Sequence, residues 1–302
     1  MQKYGIDDFV EMNYPHHSEV YNMQVKAYGK VNIALDIVGK REDGYHLLRM
    51  IMQTVDIYDV LTFKRGVPGI KITSNKEFVP TDERNLVYRA IELFSKTYNL
   101  EPDIEVYIEK NIPVEAGMAG GSTDAAAALR AMRDMYKPEL SDEELMSLGV
   151  KIGADVPYCI IGGTALCEGI GEVITRLKPF KDKLMVVIKP NFGVSTVEAY
   201  KGFRLDEVKE HPPVNELIKE MEQENLKFVA ENMGNLLELV TIKSHKEIQE
   251  IKDFILGEGA LGAMMSGSGP TVFGFFEDLK KATICAEKLK RKYKEVFVTK
   301  TI

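Results

Sequence analysis

The chain has 302 residues, enough for two ordinary domains or one large one. Its 45% hydrophobic and 28% charged content is that of a soluble globular protein, and a net charge of −7 with a pI near 5.5 argues against bulk binding to nucleic acid or an anionic membrane. No apolar run is long enough to span a bilayer, no secretory signal is visible, and Cys159, Cys167 and Cys285 form no Cys-x-x-Cys pair, so reduced thiols in a cytoplasmic protein are expected.

Met1 to Asn22 carries aromatics and charges without a sustained period and reads as an N-terminal extension, either a docking segment or the product of an upstream start. Gln24 to Val38 reads as one long strand, with Val31, Ile33, Leu35 and Ile37 on one face and Lys30 and Asn32 on the other. A mid-strand lysine fits a solvent-facing side; if buried, it needs a partner. Asp43-Gly44 marks a hairpin, with Tyr45 and His46 at the mouth of the next strand, His46 to Asp56. Tyr58 to Lys64 and Ile70 to Thr73 read as further strands. Asn85 caps a helix to about Tyr98, with Leu86, Ala90, Leu93, Phe94 and Thr97 on one face. Ile104 to Ile108 alternates as a strand.

A proline, a glycine cluster and two hydroxyl residues follow, at Pro113 to Thr123, and a helix is expected over Thr123 to Tyr136. A glycine-rich turn lets backbone N–H groups approach a ligand, and a helix start adds unpaired N–H groups and partial positive charge, which together suit an anion such as phosphate. Taken alone, such a loop is as often a tight turn. No Lys-Ser or Lys-Thr pair follows the glycines, and Gly-x-Gly-x-x-Gly is absent, so it is neither a Walker loop nor a dinucleotide fingerprint. Positive charge for a phosphate must come from elsewhere.

Ser141-Asp142-Glu143-Glu144 is a capping box for a helix ending near Gly153. Asp155, in Gly153-Ala154-Asp155-Val156-Pro157, is then a turn or cap residue, or a buried carboxylate. Gly162-Gly163 and Gly169-x-Gly171 bracket a strand, Thr164 to Glu168. The charged stretch Leu177 to Lys183 sets a domain boundary, dividing 23–180 from 181–302. Beyond it, Leu184 to Ile188 reads as a buried strand. Ser195 to Phe203, Asn215 to Lys227, Val229 to Val240 and Lys246 to Leu256 read as helical. Met265 to Thr271 is a second glycine-rich loop, followed by strand Val272 to Phe276, helix Lys280 to Lys292 and strand Val296 to Thr299. Helix pairs between strands make the fold class α+β.

Read as a set, three stretches resemble the GHMP kinase superfamily, the group of galactokinase, homoserine kinase, mevalonate kinase and phosphomevalonate kinase. They are Ala27 to Ile33, the loop Pro113 to Thr123, and Ser266 to Thr271. Met118 and Thr123 depart conservatively from the common Leu and Ser. The resemblance implies a two-domain architecture, with a ribosomal protein S5 domain 2-like N-terminal domain and a ferredoxin-like α/β sandwich at the C-terminus. Lys30-Val31-Asn32, Asp43 to His46, and Leu148 to Pro157 resemble a narrower branch. Its members move the ATP γ-phosphate to the C2 hydroxyl of a cytidine diphosphate-linked methylerythritol, in the non-mevalonate route to isoprenoid precursors.

The site residues are carried over from that resemblance. Lys30 and Asp155 are the implied catalytic pair, each offsetting the burial of the other. Pro113, Val114, Glu115, Ala116, Gly117, Met118, Ala119, Gly120, Gly121, Ser122 and Thr123 are the implied ATP loop. Asn32, Tyr45, His46, Tyr200, Gly267, Ser268 and Gly269 are the implied substrate contacts. ATP and Mg2+ are the implied cofactors, with Ser122 as a magnesium ligand beside the ATP phosphates. The expected partner is the small-molecule substrate, with no nucleic acid or membrane, and the chain a monomer or weak homodimer. The rival readings are another kinase of the superfamily (mevalonate or homoserine type), a decarboxylase acting on a diphosphorylated mevalonate, and a non-catalytic metabolite sensor.

Overall fold

The computed structural model describes residues 9–10 and 22–302. Apart from Phe9, Val10 and Asn22, the expected N-terminal extension lies outside the described residues. In chain order the strands and helices are β1 (Phe9–Val10), β2 (Asn22–Lys40), β3 (His46–Arg65), β4 (Gly69–Ser74), α1 (Leu86–Tyr98), β5 (Asp103–Glu109), α2 (Gly120–Tyr136), α3 (Asp142–Gly149), α4 (Val156–Ile161), β6 (Thr164–Gly169), β7 (Val173–Arg176) and β8 (Leu184–Lys189). They continue as α5 (Thr196–Gly202), α6 (Val214–Glu222), α7 (Leu226–Asn232), β9 (Gly234–Asn235), α8 (Glu238–Ser244), α9 (Glu247–Gly257), β10 (Gly262–Met265), β11 (Val272–Phe275), α10 (Leu279–Lys290) and β12 (Glu295–Lys300). No helix among the described residues is long and apolar enough to cross a membrane. The three cysteines are buried.

The chain passes more than once through two compact units. The first holds residues up to Gly29, Ile57–Ile112 and Ala119–Gly162; the second holds Lys30–Asp56, Pro113–Met118 and Gly163–Ile302. In the first, the far half of β3 pairs antiparallel with β5, and β5 pairs in parallel with β4. Helix α2 packs on α1 and α4, and its run of alanines, Ala125 to Ala128, is fully buried. Phe63, Ile91, Phe94, Val106 and Leu129 fill this core, and each such side chain stabilises by about 1.5–3 kcal/mol on burial. Asn85 caps α1 as expected, its Oδ1 accepting from Val87 N–H at 2.9 Å, and the Ser141–Glu144 capping box is present at α3.

In the second unit, the near half of β3 pairs with β6, β6 with β7, and β2 with β9. A separate antiparallel sheet runs in spatial order β10-β11-β8-β12. Within that sheet β8 is the first strand in sequence, so the order is the ferredoxin-like one, with helices between β8 and β10 and α10 between β11 and β12. The apolar run Met185 to Ile188 is buried at its centre.

Several expectations need correction. His46 to Asp56 and Tyr58 to Lys64 are one strand: β3 changes partner from β6 to β5 along its length, so the exposed Asp56 interrupts the apolar pattern without ending the strand. Helix α2 begins at Gly120, three residues before the expected start; N–H groups of a first turn need no helical partner, so glycine is tolerated there. Asp155 is followed by α4, a single turn and a half with proline near its start. The stretch Val229 to Val240 is not one helix, because Gly234–Asn235 leaves α7 to pair with Ala34–Leu35 of β2. The Asn215 to Lys227 helix stops at Glu222, before the left-handed Glu224. Strands β7 and β10, each four residues long, were too short to show a period.

Candidate active site

The first unit supplies the start of α2, which continues the loop Pro113–Met118 of the second unit, and a carboxylate. Helix α2 starts after Ala119, whose φ is +58° and whose side chain gives no cap. Glu115, Gly117 and Ala119 all have φ between +51° and +70°, so left-handed residues alternate along the loop. Such alternation turns successive N–H groups to one side and forms an anion-binding concavity. Two of the three are not glycine, each at a cost of roughly 1–2 kcal/mol, strain of the kind that collects at functional sites. Pro113, Ala116, Met118 and Thr123 are buried, whereas Val114, Glu115 and Gly121 are exposed and Gly117, Ala119, Gly120 and Ser122 lie between. Met118 fills with its flexible side chain the place expected of a leucine.

Asp155 sits at the N-cap position of α4, half-buried, with no capping bond from its side chain. A Cβ built on Gly153 would lie 3.8 Å from Ser122 Oγ, so the turn carrying Asp155 runs beside the first turn of α2. The far end of α4 is held by Arg130 of α2, whose guanidinium donates to Cys159 O at 3.0 Å and Ile160 O at 3.3 Å. The same guanidinium donates to Lys26 O of β2 at 3.3 Å. Arg130 therefore ties α2, the helix that begins after Asp155, and the strand leading to Lys30.

Lys110, Asp59 and Asp124 form a buried cluster that was not anticipated. Lys110 Nζ lies 2.5 Å from Asp59 Oδ2 and 2.6 Å from Asp124 Oδ2. Burial works against the Lys110 charge, but the carboxylates of Asp124 and Asp59 outweigh it and hold the ammonium above its ordinary value. Burial pushes the Asp124 carboxyl well up, with Lys110 opposing and Asp59 adding to it.

In the second unit, Lys30 is 4% exposed, on a strand buried on both faces, so the solvent-facing alternative is excluded. Its Nζ donates to Asn32 Oδ1 at 2.7 Å, and its backbone N–H donates to Met118 O at 3.1 Å. Gly117 rests on the C-terminal glycine-rich loop, with Ser266 Oγ donating to Gly117 O at 3.0 Å. That loop is pinned from behind by Asn235, which donates to Met265 O and Gly267 O, each at 2.8 Å. Ser268 Oγ lies 2.9 Å from Thr196 Oγ1. Gly267, Ser268 and Gly269 are all buried.

His46 stacks on Tyr200, ring centroids 5.4 Å apart, and meets Phe203 edge-on at 5.8 Å. Burial, and then the Lys40 charge, lowers the His46 pKa below its ordinary value. Tyr45 is 61% exposed on the hairpin, and its N–H donates to Asp43 Oδ1. The structure therefore brings together Lys30 with Asn32, Gly117 with the Ser266–Gly269 loop, and His46 with Tyr200 inside the second unit, and Ser122 with the Asp155 turn inside the first.

Comparison with known proteins shows the family. The family model described as GHMP kinases N terminal domain matches residues 85–163, and that described as GHMP kinases C terminal matches residues 217–295. The chain belongs to the GHMP kinases, a family of ATP-dependent small-molecule kinases. Over 280 residues it is 60% identical to the 4-diphosphocytidyl-2-C-methyl-D-erythritol kinase of Clostridium botulinum (strain Alaska E43 / Type E3), an alignment covering 93% of this chain and 100% of that one. It is 56% identical to the kinase of the same name from Clostridium beijerinckii, with the same coverage. A crystal structure of 4-(cytidine 5'-diphospho)-2C-methyl-D-erythritol kinase superposes with a TM-score of 0.79 at 28% identity, covering 92% of this chain and 99% of that one. Homoserine kinase from Cytophaga hutchinsonii, at 19% identity and a TM-score of 0.74 over 97% of this chain and 100% of its own, shares the fold. The resemblance read from the motifs is borne out.

Proposed function

We propose that the chain transfers the ATP γ-phosphate to the C2 hydroxyl of 4-diphosphocytidyl-2-C-methyl-D-erythritol, a step of the non-mevalonate route to isoprenoid precursors. The observation that carries this reading is the 60% identity, across the whole length of the relative, to a kinase of that name. The motifs Lys30 to Asn32, Asp43 to His46 and Gly153 to Pro157 support it residue by residue. The enzyme is read as cytoplasmic, a monomer or weak homodimer.

Phosphoryl transfer asks a protein mainly for positioning and charge stabilisation. Backbone N–H groups of Pro113 to Thr123 and the positive end of α2 hold the phosphates. The Lys30 ammonium stabilises charge on the transferring group. Asp155 orients the C2 hydroxyl and takes its proton late, since a tertiary alcohol is a weak acid. An oxygen–phosphorus bond forms at C2 as the γ-phosphorus bond to ADP breaks, and the proton ends on Asp155. Asn32 holds Lys30 and offers a hydrogen bond to the substrate. Tyr45 and Tyr200 offer ring faces to the cytosine, and His46 a neutral imidazole for its polar edge. Gly267, Ser268 and Gly269 close on the phosphates.

Among the described residues no three His, Cys, Asp or Glu side chains gather to hold a metal. The Ser122 hydroxyl, a hard oxygen donor in the first turn of α2, suits magnesium carried by the ATP phosphates. That ion neutralises phosphate charge when bound.

The test is ATP consumption with a panel of alcohols: the cytidine substrate, mevalonate, phosphomevalonate and homoserine. Turnover with the cytidine substrate alone is expected. Turnover with another member of the panel refutes the cytosine reading, and ATP binding without turnover on any of them favours a metabolite sensor.

A further inference from the structure

Lys110 follows directly on β5 and precedes the phosphate-type loop. Asp59, on β3, uses its two carboxylate oxygens differently. Oδ2 takes Lys110 Nζ, while Oδ1 accepts from the N–H groups of Asn111 at 2.5 Å and Ile112 at 2.8 Å. The start of the loop is thereby bonded to a strand of the core. Asp124 lies just past the other end of the loop, in α2, and takes Lys110 Nζ at 2.6 Å. Gly120, the first residue of that helix, leaves no room between the two ends: a Cβ there would lie 3.1 Å from Lys110 Nζ and 3.1 Å from Ile112 Cγ2.

One ammonium thus joins the residue before the loop to the helix after it. Burying three ionisable groups is costly unless their geometry is good, and apolar side chains of similar volume often serve stability as well or better. Stability alone is therefore a weak account of the cluster. Its position is specific, because it fixes the separation of the two ends between which the alternating left-handed residues turn their N–H groups to one side.

We propose that Lys110, clamped between Asp59 and Asp124, is the positioning residue of the nucleotide phosphates: it sets the span of the loop Pro113 to Ala119 and so the aim of its N–H groups. None of the three touches the reacting atoms. The proposal rests on the reading of that loop as the ATP loop, and is independent of which alcohol is phosphorylated.

The test uses the full chain with Lys110→Met, Asp59→Asn and Asp124→Asn, and measures thermal melting together with affinity for ATP, ADP and adenosine in the absence of any alcohol. A displacement of the loop by a fraction of an ångström is expected to weaken ATP and ADP by about tenfold or more. Adenosine, which lacks phosphate, should bind each folded variant as it binds the wild type. The two isosteric Asn variants keep the test decisive if Lys110→Met does not fold. Unchanged ATP and ADP affinity in folded variants, equal losses for adenosine and ADP, or failure of all three to fold would each overturn the proposal and leave the cluster a stabilising one. Failure of the ATP-loop reading itself is a separate outcome, seen as no nucleotide affinity in the wild type.

Discussion

Lys30 Nζ donates to Asn32 Oδ1 across 2.7 Å, on a strand face where both side chains are buried. The amide holds the ammonium in one place and leaves its own NH2 group near Met50 Sδ, at 3.5 Å, a weak acceptor that a substrate oxygen would better. Asn32→Ala takes away one acceptor of Lys30 and removes that donor. Turnover is expected to fall by about tenfold or more and the Michaelis constant for the alcohol to rise, with the constant for ATP unchanged. Steady-state kinetics on both substrates checks this split.

His46 is expected to read the base as a neutral ring. Its pKa is depressed by burial and then by Lys40, so it is uncharged at pH 7, and it charges as pH falls through a value below the ordinary ~6.5. The unfolded chain binds that proton first, so the His46 contribution to stability is present above ~6.5 and lost as pH falls through the folded value. The Michaelis constant for the cytidine substrate should rise over the same acid range while that for ATP holds. His46→Ala should raise the cytidine constant at neutral pH and remove its acid dependence.

Gly117 cannot take a side chain. Its φ is +70°, and a Cβ would overlap Ser266 O and lie 3.1 Å from Gly269 N, both backbone atoms that no rotamer change can move. Gly117→Ala is expected to cost about 2–3 kcal/mol in stability and to weaken ATP. Gly257, with open space at its Cβ and no positive φ, is the control. Gly257→Ala should stay within about 0.5 kcal/mol of wild type or stabilise slightly. Denaturant melts of the two variants make the comparison.

Arg130 should matter for turnover although it is remote from Asp155 in sequence. Three carbonyls lose their donor in Arg130→Met, those of Cys159, Ile160 and Lys26. The far end of α4 then loses its side-chain tie to α2, and the carboxylate at its start is held less firmly. The expected result is a lower kcat with both Michaelis constants within about twofold, and partial rescue by Arg130→Lys, which keeps one charged donor.

The legible parts of the fold were those with a local signal. The buried run Leu184 to Ile188, the Asn85 cap and the Ser141–Glu144 capping box stand where the residues put them. What failed to show was set by partners distant in the chain. Strand β3 passes its exposed Asp56 unbroken because β6 and β5 take it over in turn. Gly234–Asn235 leaves a helical pattern because β2 offers it a bridge. At the site, Lys30, Asn32 and the glycine loops had motif signals. Asp59 and Lys110 are 51 positions apart and follow no period, so their pairing is visible only in the fold. Arg130 looked like one more charged residue of a helix, and Asn235 like part of a helix that does not continue. Ala119 and Glu115 take the left-handed conformation that sequence reading reserves for glycine.

The central claim is that Asp155 serves as the base for transfer to the cytidine substrate, and single-turnover kinetics of Asp155→Asn tests it most directly. The variant is isosteric and should melt and bind ATP as the wild type does. With ATP and substrate saturating, its rate of phosphate transfer should be lower by at least about a hundredfold. A rate within a few-fold of wild type would contradict the account.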